Sequence, residues 1–128
     1  MYSSSLQAYE SVNKTTMSGR EVEAAVLTKA ARKLKECQEN WDADDRDERL
    51  HEALKFNQLV WSIFQGELNK ADNPLDRQLR SDLLQLSAFV DRRIFETMAD
   101  ASPEKLTIVI NINNNIAAGL RQKPTDAR

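Results

Sequence analysis

The stretch "LTIVININNNIAAGL" (Leu106–Leu120) decides the fold. Its first half alternates in the manner of a β-strand, with Ile108, Ile110 and Ile112 set against Thr107, Val109 and Asn111. Its second half places Asn113, Asn114 and Asn115 in a row. Yet Leu106, Val109, Ile110, Asn113, Ile116, Ala117 and Leu120 also fit one face of a helix, and the alternation lasts only about six residues. A strand here would need a partner, and no other segment is a good strand candidate. The preceding Ser102–Pro103–Glu104 supplies a capping serine, a proline suited to the first helical position and an acid for the first turn. The segment therefore reads as a helix, with Gly119 expected to end it in the left-handed conformation.

The rest of the chain follows the same spacing. Leu6, Tyr9 and Val12 suggest a short helix after Ser3–Ser5. Ser18 and Glu21 have the capping-box spacing, and Val22, Val26, Ala30, Leu34, Cys37 and Trp41 then recur at steps of four or three, which predicts a helix over 19–40. Asp45 and Glu48 repeat the cap spacing. Leu50, Leu54, Asn57, Trp61, Phe64 and Leu68 form the next seam, with Phe56, Val60 and Ile63 beside it. Asn57 in that seam reads as a buried amide that fixes helix register. Asn73 and Pro74 mark a new start, followed by Leu79, Leu83, Leu86, Val90, Ile94 and Met98, widened by Leu84, Phe89 and Phe95. Asp76 and Arg80 have the spacing of an i,i+4 ion pair. Short connections favour antiparallel neighbours. The expected architecture is all-α, an up-and-down bundle of four main helices plus a short N-terminal one. It forms a single domain over 1–128, with 1–5 and 121–128 as frayed tails.

Composition narrows the function. The chain has 128 residues, 41% of them apolar and 30% charged, enough for one domain with a real core. Its net charge of −2 lacks the basic excess of a dedicated nucleic-acid binder. One cysteine, Cys37, permits no internal disulfide and reads as a small core residue. No apolar run reaches the roughly 18 residues of a membrane span. The N-terminus lacks a basic start and an apolar run, so a cytoplasmic protein is expected.

Catalytic and metal motifs are absent from the sequence. "DADDRD" (Asp42–Asp47) fails the EF-hand pattern, since Arg46, Asp47 and Ala53 occupy the fifth, sixth and twelfth positions. His51 is the only histidine and lies far from Cys37, so no zinc set or Cys–His nucleophile is recognisable. No glycine-rich phosphate loop occurs. The chain reads as a non-enzyme without a metal or cofactor. Two basic groups, Lys29/Arg32/Lys33 and Arg92/Arg93, read as solvated faces with scope for a partner contact. Asn111, Asn114 and Asn115 fall opposite much of the apolar stripe of the last helix. Asparagine is a poor interior helix former, so this cluster and the Arg92/Arg93 pair are the candidate partner-binding residues.

The blocks "LQAYESV", "REVEAAVLTKAARKL", "ALKFNQLVWSIFQGEL", "LRSDLLQLSAFVDRRIFE" and "INNNIAAGLR" occur in the order seen in the bacterial flagellar protein family FlaF, which the chain resembles over residues 5–121. The "NxxxW" and "INxNIAxGL" blocks together are the most specific part. Matching positions are Arg20, Glu21, Asn57, Trp61, Phe89, Arg92, Asn113, Ile116, Ala117 and Gly119. The resemblance implies a small cytoplasmic regulator of flagellum assembly that promotes flagellin synthesis or secretion and has no catalytic residues or cofactor. It acts opposite the translational regulator FlbT, with flagellin as the expected partner. Two mechanisms follow: a chaperone or adaptor for flagellin's amphipathic terminal segments, or a regulator of flagellin message, directly or through FlbT. The acidic balance favours the first over RNA binding. An exposed apolar groove would support the adaptor, and a continuous basic stripe would support RNA.

Overall fold

The computed structural model describes residues 19–122. Among these residues are four helices: α1 (Gly19–Glu39), α2 (Arg46–Leu68), α3 (Arg77–Ala99) and α4 (Glu104–Arg121). The proposed short helix around Leu6–Val12, and Ser18 as a cap, lie outside the described residues. The Leu106–Leu120 stretch is helical throughout, with Leu106, Val109, Ile110, Asn113 and Ala117 buried and Ile112, Ile116 and Leu120 half-buried. Its β-branched residues cost little here because their side chains are taken up by packing rather than left to local preference.

The helices form a four-membered ring of neighbours. α1 packs on α2 and α4, and α3 packs on α2 and α4, while α1 and α3 face each other diagonally without close backbone contact. α1 and α4 approach most closely and α3 and α4 least. Small residues at the core explain the first contact: Ala24, Ala30, Ala31 and Ala117 are all buried. Two side-chain bonds fix the antiparallel alignment of this pair. Gln38 Nε2 donates to Pro103 O (2.8 Å) and Thr107 Oγ1 (2.9 Å), and Arg121 Nη2 donates to Thr28 Oγ1 (3.0 Å).

At the centre lies a buried polar relay. Asn57 on α2 is fully buried, and its Nδ2 donates to Ala30 O on α1 (3.2 Å) and to Ala53 O one turn back (2.9 Å). Asn113 on α4, also fully buried, donates through Nδ2 to Asn57 Oδ1 (2.7 Å). Its own Oδ1 accepts from Trp61 Nε1 (2.9 Å). The relay crosses the bundle diagonal and ties α1, α2 and α4 together. Asn57 is thus the buried register amide that the seam implied. Trp61 is 2% exposed, and its ring meets Phe64 edge-on with centroids 5.8 Å apart.

Helix boundaries differ from expectation at four places, each for a local reason. Asp45 precedes α2 but makes no side-chain cap; its carboxylate instead accepts from Arg49 Nε (2.9 Å). Asn73 does not cap α3. Its Oδ1 accepts from Leu75 N–H (3.0 Å), an Asx turn that places Pro74 in the connection, and Asp76 caps three residues later through Leu79 N–H (2.8 Å). With its carboxylate so used, Asp76 does not pair with Arg80, whose Nη1 donates to Lys70 O (3.3 Å). Pro103 takes helical angles (φ −64°, ψ −32°) beside Glu104, as a first-position proline does, but α4 starts without a side-chain cap. Gly119 does not end α4. No glycine has positive φ among the described residues, and the helix runs on to Arg121. The two further residues bring Leu120 against the core and Arg121 to Thr28.

Cys37 is 4% exposed in the α1 core face. Burial pushes its thiol above the usual value, against the opposing pull of the Arg49 charge. A thiol-exchange reagent should therefore label the native chain at least about tenfold more slowly than the urea-unfolded chain, measured by absorbance of the released thiolate. Equal rates would place Cys37 at the surface.

Trp61→Ala should cost about 3–5 kcal/mol in urea denaturation, the range for a fully buried large aromatic. Asn57→Leu should cost about 1–3 kcal/mol by leaving Asn113 Nδ2 without its acceptor. Adding Asn113→Leu should cost less than the sum of the two single changes, since the groups that need each other leave together. Additive costs would mean that the two amides are not coupled.

Candidate docking surface at the α3–α4 hairpin

α3 is the helix whose apolar stripe the bundle covers least. Of the residues in that stripe, only Val90 and Ile94 are fully buried, with Ser87 and Thr97 beside them. Leu83, Leu84, Leu86 and Phe89 are half-buried. Leu79 is 44%, Met98 36% and Phe95 69% exposed. On α4, Ile108 is 39% exposed. Three of these four, Phe95, Met98 and Ile108, lie on either side of the 100–103 bend, so the α3–α4 hairpin end carries most of the uncovered large apolar surface. Periodicity had placed Phe95 and Met98 on a packing face. It reports an apolar side but not whether a neighbouring helix is long enough, or turned enough, to cover it.

The polar candidates take different positions. Asn111, Asn114 and Asn115 are exposed on the outer face of α4, near Ile108 in the helical repeat, whereas Asn113 between them points inward to the relay. Arg92 is exposed. Arg93 is half-buried: its guanidinium lies over the Phe89 ring at 5.7 Å and Nη1 is 3.7 Å from Glu96 Oε1. Its Nε is buried with no hydrogen-bond partner among the described residues. Arg92 and Arg93 are therefore not an equivalent basic pair. A polar bridge holds α3 to α2, where Gln65 Nε2 donates to Ser87 Oγ and to Asp91 Oδ2 (2.8 Å).

The other basic group is arranged differently again. Lys29 Nζ and Lys33 Nζ lie over the same ring, Phe56, at 5.5 and 5.3 Å from its centroid. This group belongs to α1 and Arg92/Arg93 to α3, two helices whose backbones are not in close contact. Sequence spacing put Lys29 and Lys33 on one face, but it gave no sign that Phe56 would meet them there.

Among the described residues, no cluster of three or more His, Cys, Asp or Glu side chains could hold a metal ion, and within the run Asp42–Asp47 two of the acids pair locally, Asp47 with Arg46 and Asp45 with Arg49. Arg46 also stacks on Trp41, 4.2 Å from the ring centroid. No described helix is long and apolar enough to cross a membrane.

The two blocks that carried the resemblance meet in the core. The Asn57 and Trp61 of "NxxxW" bond to the Asn113 of "INxNIAxGL", and Ala117 is fully buried in the same core. Arg20, Glu21 and Arg92 are exposed, as is Gly119, while Phe89 and Ile116 are half-buried. No curated protein and no solved structure matches the chain. A family profile does, the one described as "Flagellar protein FlaF", over residues 5–120. Nearly the whole chain falls within that match, and its most specific blocks bond to each other at the centre of an all-α bundle: the chain belongs to the FlaF family of flagellar proteins.

Proposed function

We propose that this chain is a non-enzymatic adaptor that binds the amphipathic terminal segments of flagellin and so promotes flagellin synthesis or secretion. The observation that carries this reading is the uncovered apolar surface at the α3–α4 hairpin, led by Phe95 at 69% exposure. Family membership supplies the flagellar context. Amphipathic segments that are disordered before assembly bury their apolar side in such surfaces, and helix-in-groove docking is the common mode. Asn111, Asn114 and Asn115, with Arg92 and Arg93 on the neighbouring helix, would meet the polar side of the segment. Action on flagellin message, directly or through FlbT, draws less support, because the chain, at net charge −2, lacks the basic excess of a nucleic-acid binder.

Calorimetric titration with flagellin, with and without its terminal segments, tests the reading. Binding should require those segments. Phe95→Ser should weaken it about tenfold or more, the value of one buried aromatic, and leave the melting temperature nearly unchanged. Asn111→Ala/Asn114→Ala/Asn115→Ala should hold or slightly raise stability, since alanine is the better helix former, and should lower affinity. Equal affinities for that triple variant and the parent would make the asparagines passive surface. Flagellin that does not bind at all, with flagellin message bound in its place, would sink the adaptor.

A further inference from the structure

Phe95 also borders an open groove of about 860 Å³ that runs along the outer face of α2 between α1 and α3. From Glu52 to Gln65 this face covers about 20 Å of helix, the length of an accompanying helix of three to four turns. Leu59 and Phe95 give the groove an apolar floor, and Lys33 and Lys55 stand on its rim with Phe56. Its lining lysines, Lys33 and Lys55, are matched in number by Glu52 and Asp91, but Lys29 joins Lys33 over the Phe56 ring, so the edge around Phe56 carries three lysines against one acid, Glu52. Lys29, Lys33 and Lys55 form no ion pair among the described residues, whereas Lys35, Lys70 and Lys105 each have a carboxylate partner. Of the acids on the rim, Glu52 makes no ion pair among the described residues either, and Asp91 accepts from Gln65. Two ammoniums over one ring are held there by the negative face of the Phe56 π-system, and each can still accept a carboxylate from outside.

We infer that this groove binds an amphipathic helical segment whose apolar stripe is flanked by acidic residues, the stripe lying on Leu59 and Phe95 and the carboxylates on Lys29, Lys33 and Lys55. The groove is a second contact, on the α2 side of α3 and away from the asparagines of α4, with Phe95 common to both; it rests on the adaptor reading for the source of the segment, but its selectivity can be measured separately. Two apolar contacts and an excess of cations along one edge are the features that helix-in-groove recognition uses for affinity and for orientation.

The test uses the full chain and two labelled peptides of about 16 residues with an identical Leu/Phe stripe, one flanked by glutamates and one by glutamines. Fluorescence anisotropy should show the glutamate peptide binding about tenfold more tightly, as expected for three partly exposed ion pairs, with the advantage fading as salt rises. Lys29→Gln/Lys33→Gln/Lys55→Gln should abolish the difference while circular dichroism and melting stay as in the parent. Equal binding of the two peptides, or a preference that survives the triple change, would overturn the inference. So would displacement of the glutamate peptide by an oligoribonucleotide of equal charge, or a dimer of the chain that the same substitutions disperse. Flagellin separates this inference from the broader one. Undiminished flagellin binding by the lysine variant would remove the groove and leave the adaptor, whereas selective peptide binding without flagellin binding would do the reverse.

Discussion

Two amides and an indole, bonded in series across the bundle diagonal, hold the register of this fold. Apolar spacing alone lets a helix slide by a turn against its neighbour with little change in buried area, because residues four apart are often interchangeable. A buried amide removes that freedom. Asn57 must find both Ala30 O and the Asn113 amide, and Asn113 must find Trp61 Nε1. Only one axial setting of α1, α2 and α4 satisfies these together, and any other leaves buried polar atoms without partners. The α1–α4 pair is set by the same arrangement, since Ala30 O on α1 and Asn113 on α4 are both bonded to Asn57.

α3 stands outside this constraint. It is joined to α2 by the Gln65 bridge and to the core chiefly through Val90 and Ile94. That is why its stripe is only partly covered, and why the candidate docking surface and one wall of the lysine-rimmed groove both fall on it. The rigid part of the bundle and the part with surface to offer are built from different helices. Such a division suits binding, because a partner can cover α3 without asking the relay to move.

Local rules read most of the fold. The three-and-four spacing of Leu106–Leu120 outweighed its short alternation, and the seam of α2 identified Asn57 as a buried amide. What the spacing could not supply was Asn113 as its partner, 56 residues away, because a helical face says which residues point inward and not whom they meet. Starts and stops were less legible for a related reason. Asn73 and Asp76 both offer caps, and the Asx turn at Asn73 decides between them. Gly119 permits a stop that Leu120 and Arg121 override through contacts made with α1. The candidate surface was hardest to foresee. Phe95 and Val90 share a stripe in the sequence, and only the placement of the neighbouring helices leaves one at 69% exposure and the other at zero.

The alanines between α1 and α4 bear on how such a chain can change over generations. Where backbones approach over Ala24, Ala30, Ala31 and Ala117, a larger side chain has nowhere to go, and its cost falls on two helices at once. On the outer side of α3, substitution touches solvent and whatever partner lies there. Drift should therefore collect on such outer faces while the α1–α4 seam stays close to its ancestral sequence. A lineage whose partner protein alters its terminal segments can follow by rewriting exposed positions such as Phe95 and Met98, while Val90 and Ile94 on the inner side of α3 keep the fold.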